Sequence, residues 1–146
     1  MRAVPLQERH LDEAARLETL CFSRPWSRQA LAEELENPTA FFLAAEDDTG
    51  ELLGYAGMHV VCGEGYIDNV AVFPQARRRG VGRLLVQSLV QWLREHEGVF
   101  LTLEVRPSNE PAISLYGSLG FEEVGRRPRF YECPTEDALL MTLHLA

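Results

Sequence analysis

Arg77, Arg78, Arg79 and Arg83 fall within seven positions and enclose Gly80 and Gly82. The glycines open a segment in which Val81, Leu84, Leu85, Ser88, Leu89, Trp92 and Leu93 recur at i, i+3, i+4 and i+7. They therefore stand at the mouth of a long amphipathic helix that ends near Gly98. Such a mouth presents unpaired backbone N–H groups and the positive end of the helix dipole, and glycine lets a bulky anion approach the main chain. Guanidinium groups add charge-assisted contacts to phosphate oxygens. The segment reads as a pyrophosphate cradle. All 14 basic residues are arginine and none is lysine, which excludes a P-loop. The Gly-x-Gly-x-x-Gly fingerprint of dinucleotide sites also fails, because its third glycine position holds Leu85.

The elements that must hold this cradle fit one α+β unit. The 146 residues are 46% hydrophobic, enough to bury a core without staples. No run approaches the roughly 20 apolar residues of a membrane span, and Met1 to Gln7 lacks a secretory segment. The expectation is a soluble, cytoplasmic protein with no membrane contact. A net charge of -8 opposes general attraction to a phosphate backbone, so direct nucleic-acid binding is not expected. Cys21, Cys62 and Cys133 are odd in number and widely spaced, which argues against a disulfide framework or a zinc site. They are expected to be small apolar fillers. No metal site is expected.

Arg2 to Leu6 reads as a strand, and Leu11 to Phe22 as a helix with Ala14, Leu17, Leu20 and Cys21 on its apolar face. Pro25-Trp26 interrupts it. Ser27 is the N-cap of a second helix with Ala30, Leu31 and Leu35 inward, stopped by Asn37-Pro38. Phe41 to Glu46, Leu52 to Val61 and Tyr66 to Phe73 are strands separated by Asp47-Asp48-Thr49-Gly50 and Gly63-Glu64-Gly65, which predicts an antiparallel meander. Phe100 to Arg106 alternates as a strand does. A short helix over Ala112 to Leu119 is closed by Gly120. Phe121 to Val124 and Leu139 to Leu143 are expected as the last strands, joined by a long arm rich in Arg, Pro and aromatic residues. These elements build a single sheet with helices packed against it.

Arg77-x-x-Gly80-x-Gly82 resembles the acetyl-coenzyme A signature, Gln/Arg-x-x-Gly-x-Gly/Ala, of the GNAT N-acetyltransferases. The resemblance runs through nearly the whole chain. It includes Pro25-Trp26-Ser27, Asn69-Val70-Ala71-Val72, Leu103-Glu104-Val105-Arg106, Asn109-x-x-Ala112-Ile113-x-Leu115-Tyr116 and Leu119-Gly120-Phe121. Together with Arg126-Arg127-x-x-x-Tyr131 these segments are similar to the bacterial RimI subfamily of ribosomal-protein alanine N-acetyltransferases. The resemblance implies one GNAT domain over residues 1–146, with a central, mostly antiparallel mixed sheet flanked by helices. It also implies acetyl-coenzyme A as co-substrate, and the N-terminal alanine of a small-subunit ribosomal protein as acceptor.

In that family an amine attacks the thioester directly. The resemblance makes Glu104 the general base and Tyr116 the general acid. A free Glu has a pKa of about 4.3, so burial or relaying water must assist it, whereas a Tyr near 10 suits donation to a thiolate whose acid lies near 8.5. The alternatives are an ion pair between Glu104 and Arg106, and core packing for Tyr116. By the same resemblance Val70, Ala71 and Val72 offer backbone groups to pantetheine. Arg77, Arg78, Arg79, Gly80, Val81, Gly82 and Arg83 hold the pyrophosphate. Asn109 reaches the cofactor, although an Asn at a helix start is equally an N-cap. Trp26, Phe130 and Tyr131 are walls of a peptide groove or ordinary aromatic packing. An α-amino group, with a pKa near 8, is neutralised about 3 kcal/mol more easily than a lysine near 10.4. The acidic balance also favours a cationic peptide if carboxylates line its approach. Other protein N-termini, lysine side chains or a small amine are the alternative acceptors.

Overall fold

The computed structural model describes residues 1–145. In chain order the elements are β1 (Arg2–Pro5), α1 (Leu11–Cys21), α2 (Arg28–Glu34), β2 (Ala40–Glu46), β3 (Leu52–Val61) and β4 (Glu64–Val72). Then come α3 (Val81–Glu95), β5 (Phe100–Val105), α4 (Glu110–Ser118), β6 (Glu122–Tyr131) and β7 (Glu136–His144). Local chemistry sets the meander. Asp47 Oδ1 accepts from the backbone N–H groups of Thr49 and Glu51, both at 2.9 Å, and turns β2 into β3. Cys62 and Gly63, at φ 53° and 78°, form the two-residue turn from β3 to β4. Ser27 caps α2, its Oγ accepting from the Ala30 N–H at 3.1 Å.

The seven strands form one mixed sheet in the order β1-β2-β3-β4-β5-β7-β6, and only the β4–β5 pair is parallel. That pair is the source of the site. It is registered only at Glu64/Phe100, Gly65/Leu101 and Tyr66/Thr102, yet β4 runs on to Val72 and β5 to Val105. Beyond Tyr66 the two strands have parted, and a cleft opens in the middle of the sheet.

Neighbouring residues on β3 show which face each helix covers. A Cβ on Gly54 would meet Val81 of α3, while the Tyr55 hydroxyl reaches Glu18 of α1. Successive strand residues point to opposite faces, so α1 and α3 sandwich the sheet. Leu85, Leu89 and Leu93 of α3 are fully buried on it, and truncating any one to alanine costs roughly 2–5 kcal/mol. None of the described helices is long and apolar enough to cross a membrane.

Three local expectations are corrected. The stretch between Phe121 and Leu143 is a long hairpin rather than two short strands with an arm, since β6 and β7 pair as far out as Tyr131/Glu136. Pro128 reads as a loop signal, but β6 is an edge strand, and its register shifts between Arg127 and Tyr131 accommodate a residue that cannot donate. Two leucines expected on inner faces are exposed: Leu20 of α1, and Leu35, whose N–H bonds back to Ala32 in a tighter final turn that rotates it off the face of Leu31. Cys62 and Cys133 are exposed turn residues with positive φ, and only Cys21 is partly buried.

Candidate active site

The Arg/Gly cluster closes one end of the cleft. A single turn of 3₁₀ helix, Pro74–Ala76, leads from β4 into a loop where Arg78 has φ 63° and Gly80, the N-cap of α3, has φ 82°. Glycine adopts that conformation without a Cβ clash. Gly80 has no side chain to cap the helix, and the first backbone bond into α3 is Leu84 N–H to the Gly80 carbonyl at 3.0 Å. The N–H groups of Val81, Gly82 and Arg83 are thus left open to an anion. A Cβ on Gly82 would stand 3.3 Å from Leu115 of α4. Arg83 donates to Ser118 Oγ at 2.7 Å, and Arg77 Nε donates to the Val72 carbonyl at 3.2 Å. Arg78 has no ion-pair partner among the described residues.

These groups face one cavity of about 1140 Å³ that follows the parted strands. Val70, Ala71, Val72, Arg77, Arg78, Gly80, Val81, Gly82, Arg83 and Asn109 all line it, together with Glu104 and Tyr116. Arg79 is exposed and is not part of the wall. Asn109 has both expected features: it lines the cavity, and its Oδ1 accepts from the Ala112 N–H at 3.3 Å as the cap of α4.

Glu104 lies where the strands part, its side chain only 6% exposed. Its Oε1 accepts from the Tyr66 hydroxyl at 2.9 Å, and Arg127 Nε stands 3.9 Å away. Its Oε2 is buried without a hydrogen-bond partner. The alternative ion pair with Arg106 does not form. β5 ends at Val105, and Arg106 turns to the hairpin tip instead, donating to the Glu132 and Pro134 carbonyls at 2.8 Å and to Glu136 at 3.3 Å. Its guanidinium also lies 4.5 Å over the Tyr131 ring. Tyr116 is buried beside Phe121, with 5.6 Å between ring centroids, yet still lines the cavity. Packing and access to the cavity therefore coexist at that residue. Burial raises the Tyr116 pKa, and burial followed by the charge of Glu104 pushes Tyr131 up to about 12.

Sequence reasoning missed Glu18, whose inward place at i+4 from Ala14 was the available signal. Glu18 is fully buried, accepts from the Trp26 N–H at 2.7 Å, the Asn69 amide at 3.0 Å and the Tyr55 hydroxyl, and lines the same cavity. Burial raises its pKa against those donors. It fixes the α1–α2 loop, and with it Trp26, against the sheet. Across the opening, Arg24 pairs with Glu132 and Ser23 Oγ donates to the Glu132 carbonyl at 3.3 Å, so this loop touches the hairpin tip. Asp68, also on the wall, is held by His59, which in turn contacts Glu34 at 2.7 Å. Of the wall carboxylates Glu18, Asp68, Glu104 and Glu132, only Glu104 keeps a buried oxygen without a partner.

The model of the acetyltransferase (GNAT) family matches residues 11–121. A Salmonella typhimurium protein named ribosomal protein bS18-alanine N-acetyltransferase is 37% identical over 141 residues, covering 93% of this chain and 92% of that protein. The Escherichia coli K12 protein of the same name is 34% identical over 145 residues, covering 97% and 95%. The crystal structure of the Escherichia coli ribosomal-protein-S18-alanine N-acetyltransferase superposes with a TM-score of 0.90 at 32% identity, over 99% of this chain and 93% of that one. The fold, with its cleft between β4 and β5, and these similarities agree: the chain belongs to the GNAT family of acetyltransferases and is an acetyl-coenzyme A dependent N-acetyltransferase.

Proposed function

We propose that the chain acetylates the N-terminal α-amino group of a protein, with the alanine terminus of a small-subunit ribosomal protein as acceptor, and that it acts in the cytoplasm as one GNAT domain. The observation that carries the chemical part is Glu104, a buried carboxylate with a free oxygen on the wall that it shares with Tyr116 and the phosphate cradle. The acceptor is supported by the names of the Salmonella and Escherichia coli relatives.

The pyrophosphate of acetyl-coenzyme A lies against the N–H groups of Val81, Gly82 and Arg83, with Arg77, Arg78 and Arg83 around it. The pantetheine follows Val70, Ala71 and Val72, and Asn109 borders it. Glu104 Oε2 takes the proton of the incoming ammonium, directly or through one water. The neutral amine attacks the thioester carbonyl, the N–C bond forms, and the C–S bond breaks with its electron pair on sulfur. Burial keeps the Tyr116 hydroxyl protonated and makes it a weaker acid. It therefore holds the leaving thiolate by hydrogen bonding, and the second proton, shed by the adduct nitrogen as the amide forms, reaches the sulfur through that hydroxyl or a water.

The test offers two peptides with acetyl-coenzyme A: one starting with a free alanine in the sequence of the ribosomal protein's N-terminus, one N-blocked and carrying a lysine. Turnover of the first should exceed that of the second by at least about tenfold, in line with the cost of neutralising each amine. Faster turnover of the blocked peptide overturns the proposal. Mass spectrometry of cellular N-termini with and without the protein identifies the acceptor.

A further inference from the structure

We propose that Tyr66 is a positioning residue for the acetyl transfer: its hydroxyl anchors one oxygen of Glu104 so that the other alone faces the incoming amine. The proposal rests on the reading of Glu104 as proton acceptor. Tyr66 occupies the last registered rung between the parallel strands, opposite Thr102. Glu104 follows Thr102 by two residues, on the same strand face and within reach of a long side chain on the diagonal. The hydroxyl donates to Oε1 at 2.9 Å and Oε2 is left buried without a partner, so the two oxygens are no longer equivalent.

The groups facing Glu104 show why a phenol is suited to this place. Arg127 and Tyr131 face it from β6, Tyr66 from β4 with Asp68 nearby, and Leu140 stands opposite on β7. Arg127 is 3.9 Å away and 60% exposed, so water screens it. A cation in close contact would hold the carboxylate as an anion and weaken it as a base, whereas a neutral hydroxyl fixes its orientation with a smaller bias. Burial and the Glu104 charge raise the Tyr66 pKa, so the hydroxyl remains a donor across the working pH range.

The experiment measures kcat against pH for wild type, Tyr66→Phe, Glu104→Gln and the double variant, with saturating acetyl-coenzyme A and the alanine-starting peptide. The peptide amine contributes the same break to every profile. Tyr66→Phe should lower kcat roughly tenfold and move the Glu104 break about one pH unit upward, because the anion loses a donor, with KM for acetyl-coenzyme A within about twofold. Replacing Tyr66 with 3-fluorotyrosine, a stronger donor of nearly the same shape, should move the break downward; this variant decides if Tyr66→Phe does not fold. In the Glu104→Gln background Tyr66→Phe should change kcat by less than about twofold. An unmoved break, or an equal loss in both backgrounds, overturns the role of Tyr66 alone. Wild-type turnover by Glu104→Gln overturns the base assignment, and the role of Tyr66 with it.

Discussion

Two buried glutamates, at the β1–β2 edge and in the β4–β5 cleft, each hold one oxygen without a hydrogen bond, Glu46 Oε1 and Glu104 Oε2. Their surroundings are opposite. Glu46 Oε2 receives both Arg9 and the Nε2 of His10, the latter at 2.6 Å, while Arg2 stands 3.5 Å from Oε1. The Gln7 N–H donates to His10 Nδ1 at 2.9 Å, which places the ring proton on Nε2, facing the carboxylate. Arg9 foremost, then His10, holds the Glu46 carboxyl down at about 2. Glu104 has a neutral phenol and one screened arginine. The difference teaches that burial by itself does not make a carboxylate a base. Close donors and cations lock Glu46 as an anion, and Glu104, the proposed proton acceptor, has no such shell around it.

Glu104→Gln should produce the largest effect, a fall in kcat of about 10²–10³ with KM for acetyl-coenzyme A nearly unchanged, as loss of a general base requires. The same substitution at Glu46 should leave kcat as it is. Steady-state kinetics of both variants break the comparison if Glu46→Gln is the slower enzyme.

Glu46→Gln should act on stability instead. Removing the anion weakens the His10 contact and frees Arg9, which is half exposed and rehydrates, at a cost on the order of 1–2 kcal/mol, read by urea unfolding at pH 7. The pH dependence has a definite sign. The carboxyl titrates near 2 in the folded chain and about 4.3 unfolded, so its contribution is complete above about pH 5 and disappears as pH falls toward 2. The variant should lose that part of the wild-type slope below pH 5. An unchanged slope assigns the acid sensitivity elsewhere.

How much of this could be read from the sequence depends on how far apart the interacting residues are. The mouth of α3 was legible because its signal is local: Gly80 takes a left-handed φ, Gly82 stands close to Leu115, and both lie beside the arginines that flank them. The β2–β3–β4 meander was legible from its turns. Glu104 was found through its motif, but its partner Tyr66 lies 38 residues away and depends on the register of a parallel pair. Arg106 sits at ion-pair spacing from Glu104 in sequence, and only the end of β5 at Val105 turns it aside. Pro128 suggested a loop because nothing local marks an edge strand. Glu18, a carboxylate on an otherwise apolar helix face, finds its donors on the α1–α2 loop, β3 and β4.

At the donor end the comparison extends to glycines. Gly82→Ala should raise KM for acetyl-coenzyme A roughly tenfold with kcat and stability almost unchanged, since the helix accepts alanine, the Leu115 side chain can yield a few tenths of an ångström, and the new Cβ stands on the wall of the proposed cradle. A loss of stability in thermal melts, with KM unaltered, would mean that Gly82 serves packing between α3 and α4 instead.

The smallest effect belongs to Arg78, and it sharpens the contrast because it concerns arginines rather than glutamates. Arg2 and Arg9 already have Glu46, whereas Arg78 is exposed on the cavity wall with no ion pair among the described residues. A free, solvated guanidinium attracts a phosphate through a field that salt screens, while the backbone N–H groups at the mouth of α3 act at contact range. Arg78→Ala should therefore raise KM for acetyl-coenzyme A about threefold at low ionic strength, and the difference from wild type should shrink as salt approaches about 0.5 M. A deficit independent of salt would place Arg78 in direct, desolvated contact with the pyrophosphate, and the cradle would then depend on its side chains as much as on its backbone.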